Sequence, residues 1–166
     1  MANEWSARYL RRGPDLPSLS RRRLLAGAAG LVLARPAVAA AVDFEVWKMR
    51  ACGCCAAWAK HFEAAGFRTI VHEVDDVGEI RAAAGVPADL GGCHTGKVAG
   101  YVVEGHVPIA AVERLLADGP AILGLAVSGM PLGSPGMEIE GEPAEPFDVI
   151  AFAADGSRTV YTTVRP

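Results

Sequence analysis

Three of the four cysteines in this 166-residue chain lie within four positions, at Cys52-Gly53-Cys54-Cys55, and the fourth, Cys93, is followed directly by His94. Clustered thiols act as redox groups or as metal ligands, and the thiolate is the working form in both roles. The run Phe44-Glu45-Val46-Trp47-Lys48 alternates apolar and polar residues, as a half-buried strand does. From Cys55 onward, Trp58/Ala59, Phe62 and Ala65 recur at helical spacing. The cysteines therefore fall at a strand-to-helix junction, where free N–H groups and the helix dipole favour a thiolate. Cys52 and Cys54 precede any apolar helical face, which sets them apart from buried structural cysteines.

Two chemistries compete for these thiols. Disulfide exchange would use Cys52 as nucleophile and Cys55 as resolving thiol, at the spacing of a redox-active pair. Cys54 stands beside that pair, where it would scramble or cap the bridge, and plain structural disulfides are the third option in an oxidising compartment. Metal binding would use all four sulfurs. Zinc usually takes its tetrahedral ligands from two separated Cys-x-x-Cys knuckles, and adjacent Cys54-Cys55 strains a single tetrahedral centre. Adjacent thiolates fit better when each sulfur bridges two metals. Cu(I) selects thiolate, forms bridged clusters of that kind and also accepts imidazole and thioether. The candidate ligands are then Cys52, Cys54, Cys55 and Cys93, with His94, His106, Met130 and Met137 to complete the set. The two methionines sit in a Gly- and Pro-rich loop, Gly129 to Met137, and filling gaps in a core is their other reading. His61 reads as a solvated residue of the cysteine helix, Met49 as structural, and His72, alternating with Ile70 and Val74, as a core histidine. Glu73-Val74-Asp75-Asp76 reads as a strand end with a helix cap. The chain carries no Gly-rich phosphate loop or metalloprotease helix motif.

The elements that must position these groups follow in order. Gly66 stops the cysteine helix, Thr69 to Val74 is β-branched and strand-like, and a short helix runs from Val77 to Ala84 before Gly85-Val86-Pro87. Lys97 to Glu104 is strand-like, Gly105-His106-Val107-Pro108 turns, and Ile109 to Ala117 forms a helix. Strand, cysteine-headed helix, strand, helix, strand pair and helix is the order of a thioredoxin-like α/β sandwich. In that arrangement the loop holding Cys93 and His94 folds back over the helix start, so both should face the cysteine cluster. Phe147 to Phe152 and Arg158 to Val164 form strands about an Asp155-Gly156 turn. The C-terminal loop and hairpin hold too little apolar mass to fold alone and are expected to extend the main sheet.

With 51% hydrophobic and 21% charged residues, the chain suits an ordinary globular domain. The net charge of −3 conceals an asymmetry: residues 1–39 carry seven Arg and two acids, which leaves the remainder at −8 and makes nucleic acid an unfitting partner. Ser20-Arg21-Arg22-Arg23-Leu24-Leu25 places paired arginines before an Ala/Gly/Leu-rich run ending at Ala34, shorter than the ~20 residues a membrane span needs. Ala37-Val38-Ala39 then supplies a small-x-small cleavage pattern. These features resemble a twin-arginine export signal over residues 1–39, followed by one thioredoxin-like domain over 40–166 that is periplasmic and not membrane-bound once the signal is removed.

A longer pattern runs through the mature part. It comprises Cys52-Gly53-Cys54-Cys55, Val71 to Asp76, Gly85-Val86-Pro87, Cys93-His94-Thr95, Gly100 to Pro108, Gly124 to Val127, Gly129 to Glu138 and Tyr161. It resembles the CopG-type family of exported bacterial copper-associated proteins across nearly all of residues 43–163. The resemblance implies a thioredoxin-like fold and a cysteine-bridged multinuclear Cu(I) site on Cys52, Cys54, Cys55 and Cys93. It also implies a role in copper resistance, with copper ions and other periplasmic copper proteins as partners. Disulfide exchange through Cys52 and Cys55 is the alternative activity, and ligand types alone do not decide whether the site turns over.

Overall fold

The computed structural model describes residues 41–165. The export signal expected over residues 1–39 lies outside the described residues. Strand β1 (Asp43–Met49) leads into helix α1 (Gly53–Ala64), then β2 (Arg68–Val74), α2 (Gly78–Ala83) and a 3₁₀ turn (Ala88–Leu90). Strands β3 (His94–Val98) and β4 (Tyr101–Glu104), helix α3 (Ile109–Asp118), and strands β5 (Gly124–Ala126), β6 (Phe147–Phe152) and β7 (Arg158–Val164) complete the chain. All seven strands join one mixed sheet in the order β2-β1-β3-β4-β5-β6-β7. β1 runs parallel to β2 and antiparallel to β3, and β3 to β7 pair antiparallel except for the parallel β4–β5 pair.

Alternation along the strands divides the apolar residues between two faces. Phe44, Val46, Val103, Leu125 and Val149 pack with Trp58 and Phe62 of α1 and Val112 and Leu115 of α3 in the larger core. Neighbours of opposite parity, Val102, Ala126 and Phe152, pack with Ala84, Val86 and Leu90 beside α2. Helices on both faces of a mixed sheet, begun by strand-helix-strand and a hairpin, form the thioredoxin-like arrangement. The β6–β7 hairpin extends that sheet, as its sequence indicates. No described helix is long and apolar enough to cross a membrane.

Three local features depart from the sequence reading. Lys97 to Glu104 is the greater part of a hairpin, with β3 starting at His94 and β4 at Tyr101. β5, three residues long, carries too little alternation to be recognised without its neighbours. His72 is not a core histidine: it and Ile70, on one face of the edge strand β2, are both exposed, and its ring stacks on Trp47 at 5.0 Å between centroids.

Candidate metal centre

β1 delivers the chain to the cysteines through a tight turn in which Cys52 N donates to Met49 O at 3.0 Å. Cys52 is the N-cap of α1, and its sulfur accepts the Cys55 N–H at 3.3 Å. This occupies one of the orphan donors every helix start presents and holds the sulfur in the positive end of the dipole. Cys55 faces inward and is fully buried, whereas Cys54 stays partly exposed. Cys52 and Cys55 are joined as a disulfide, and Cys54 and Cys93 are free.

Because β3 pairs antiparallel with β1, setting Lys48 opposite His94, the start of β3 lies at the same end of the sheet as the cysteine turn. Gly92 and Gly105 pack back to back there: a Cβ on Gly92 would stand 2.8 Å from the Gly105 Cα. Gly105 also has φ +69°, and a side chain on it would strike the Val127 carbonyl. Only glycines allow this approach, and it brings Cys93 and His94 alongside His106. Cys93 Sγ is 3.3 Å from Cys55 Sγ, and Cys54 Sγ is 3.5 Å from Cys52 Sγ. All four sulfurs lie within 4.8 Å of one another, as do the ligand atoms of Cys93, His94 and His106.

The two histidines are buried and differently held. Nδ1 of His106 lies 2.8 Å from the Pro135 carbonyl, which can only accept, so Nδ1 carries the proton and the Nε2 lone pair faces Cys93 Sγ at 3.4 Å. His94 brings Nδ1 within 3.6 Å of the same sulfur and packs on Trp58 at 4.2 Å between centroids. Burial first, and His106 second, push its pKa down to about 3, which leaves the neutral imidazole that ligates metals. Its Nε2 is buried without a partner. Burial, reinforced by Cys54, pushes the Cys93 thiol up to about 12, so a metal bound there would displace a proton.

The loop from Gly129 to Met137 closes over the helix start. Gly136 lies so close that a Cβ would stand 2.6 Å from the Cys54 carbonyl oxygen and 2.7 Å from the Trp58 nitrogen. Met130 is exposed and places Sδ 3.9 Å from Cys54 Sγ, a position unlike that of a core gap-filler. Met137 is half-buried and serves the loop through its backbone, donating to Ser134 O and accepting from Gly133 N. His61 is half-buried and its ring lies 3.1 Å from Glu138, just past the loop, on the side of α1 away from the core. Met49 is exposed at the end of β1. The Pro135 carbonyl is the group the sequence could not supply, since a backbone acceptor leaves no mark on residue type.

Metal-binding donors therefore converge from α1, the turn before β3, the turn after β4 and the C-terminal loop. Reduced, the four thiols and two imidazoles suit a soft metal ion; oxidised, the Cys52–Cys55 bridge is flanked by a free thiol at each end.

The family described as a protein of unknown function, DUF411, matches residues 90–137, the stretch that holds Cys93, His94, His106, Met130 and Met137. No protein of curated function matches the chain. Among solved structures, "Copper resistance protein copG- Form 1" is 37% identical, with 76% of this chain and 99% of that chain covered at a TM-score of 0.71. "Copper resistance protein copG- Form 2" is 38% identical, with 75% and 99% covered at the same TM-score of 0.71. Identity at that level over the whole length of those chains, with the fold shared, means that this protein belongs to the CopG family of copper resistance proteins.

Proposed function

We propose that the protein is a periplasmic copper-binding protein that holds Cu(I) in a multinuclear site bridged by Cys52, Cys54, Cys55 and Cys93. It would serve copper resistance by sequestration, transfer or a change of copper's oxidation state. The observation that carries this reading is the convergence of four sulfurs within 4.8 Å, two of them on adjacent residues. Four thiolates bring four negative charges into a partly buried space. Cu(I) ions sharing those sulfurs neutralise them at about one copper per cysteine, whereas one Zn²⁺ leaves a charge near −2 to be buried at a cost. Met130 at Cys54 is a further soft ligand, and His94 and His106 at Cys93 offer imidazoles, which copper also accepts. The paired arginines at Arg21-Arg22 support export, and other periplasmic copper proteins are the natural donors and acceptors of the cargo.

The Cys52–Cys55 disulfide favours a second reading, thiol–disulfide exchange. Loading fully reduced protein with Cu(I) under anaerobic conditions, then counting copper and thiols after removal of excess metal, separates the two. Several coppers per chain are expected, with fewer in Cys93→Ser. A single copper, or a Cys93→Ser variant that binds as much as the parent, would put disulfide exchange ahead.

A further inference from the structure

Glu104 is fully buried, and its carboxylate is the hub of a charged cluster outside the donor set. Oε1 accepts from Arg81 Nε at 2.7 Å and from Gly92 N at 2.6 Å, and Oε2 accepts from Thr95 Oγ1 at 2.6 Å. The Arg81 guanidinium also donates to the Gly92 carbonyl. One carboxylate therefore grips the chain immediately before Cys93 and immediately after His94. Its own residue stands two positions before His106, in a turn where Gly105 N donates to His94 O at 3.1 Å. Arg81 comes from α2, an element that supplies none of the donors, so the cluster links α2 to the centre. A buried ion pair is a weak source of stability, because desolvation cancels most of the attraction, but it tolerates little geometric error.

We propose that Glu104, held by Arg81, is the positioning residue of the metal centre: it fixes Gly92 to Thr95 so that Cys93 and His94 meet α1 and His106. The inference rests on the copper reading above. Glu104→Gln keeps the side chain's size, removes the charge that pairs with Arg81, and sets an N–H₂ against the Thr95 hydroxyl, which must turn from donor to acceptor.

The test compares anaerobically reduced parent, Glu104→Gln, Cys93→Ser and Val149→Ala. The last opens the core on β6, three strands from β3, and controls for lost stability alone. Cu(I) affinity is measured by competition with a chromophoric chelator, together with copper stoichiometry and thiolate-to-copper absorption. Glu104→Gln is expected to lose about 10–100-fold in affinity, the range for outer-shell partners of metal ligands, and to shift its spectrum toward that of Cys93→Ser. Val149→Ala should keep the parent spectrum. A Glu104→Gln protein whose affinity and spectrum match the parent's or those of Val149→Ala overturns the proposal. If Glu104→Gln fails to fold, Arg81→Gln, on a partly exposed side chain, is judged by the same criterion. The two levels fail differently: a parent that binds no copper, or equal binding by Cys93→Ser, sinks both, whereas a Cys93-dependent parent with an unaffected Glu104→Gln sinks the positioning role only.

Discussion

The carbonyl of Pro135 sets the tautomer of His106, and by doing so turns the lone pair of the ring toward Cys93. The two nitrogens of this imidazole therefore have separate duties, one holding the loop and one facing the sulfur. His106→Asn offers an amide N–H near the place of Nδ1 and nothing at Nε2. It is expected to keep the loop seated while Cu(I) affinity falls about tenfold or more. Thermal melts of metal-free protein, run beside chelator competition, check both halves.

Oxidation state should govern capacity. With Cys52 and Cys55 bridged, two thiols remain free, and a metal-bridging cluster loses half its sulfurs. Oxidised protein is expected to hold about half as much Cu(I) as reduced protein, or less, since only deprotonated thiols ligate. Copper and thiol counts on the two forms, prepared from one batch, give the answer.

Gly136→Ala tests the loop. The position has φ +85°, and an added methyl meets the Cys54 carbonyl and the Trp58 nitrogen. A loss of roughly 1–3 kcal/mol is expected from the strained backbone. The loop must also lift, so His106 should lose its acceptor and copper affinity should fall together with stability. Urea unfolding and Cu(I) competition read the two effects.

Trp58 bridges core and centre, since its indole N–H donates to Val107 O at 2.9 Å while its ring packs on His94. Trp58→Phe leaves a buried carbonyl unpaired and is expected to cost about 1–3 kcal/mol. A lower urea midpoint with an unchanged slope would confirm a loss of stability without a change in the denatured state.

Changing Arg21 and Arg22 to Lys should leave precursor in the cytoplasm, as shown by fractionation and immunoblot. Undiminished export would assign the chain to the general secretory route.

Much of the fold was legible because β1 and α1 carry their own period and the Asp155-Gly156 turn marks the hairpin of β6 and β7. Phe44, Val46 and Lys48 are inward on one strand, and Trp58, Ala59 and Phe62 on one helix, as the spacing requires. His72 was misread because alternation marks a strand's faces and says nothing about whether a neighbour covers them; β2 ends the sheet. The cysteines and His94 were legible through type and adjacency. Glu104 was not, because a lone acid at a strand end looks solvated until Arg81, Gly92 and Thr95 close around it. Met130 could be named but not placed, since nothing within a Gly/Pro loop fixes which residue points at Cys54.

The register that sets Lys48 opposite His94 has a consequence for the order of events in folding. Cys55 and Cys93 are 38 residues apart, and an unfolded chain brings them together only against the entropy of closing that loop. The β1–β3 seam closes it. Metal held by sulfurs from both sides of the seam would then be an inorganic cross-link that the native chain forms without the loop-closure cost the unfolded chain must meet. Loading should therefore raise the melting temperature with copper concentration, as tighter binding to the native than to the unfolded chain requires. It should slow unfolding most where the seam has to part.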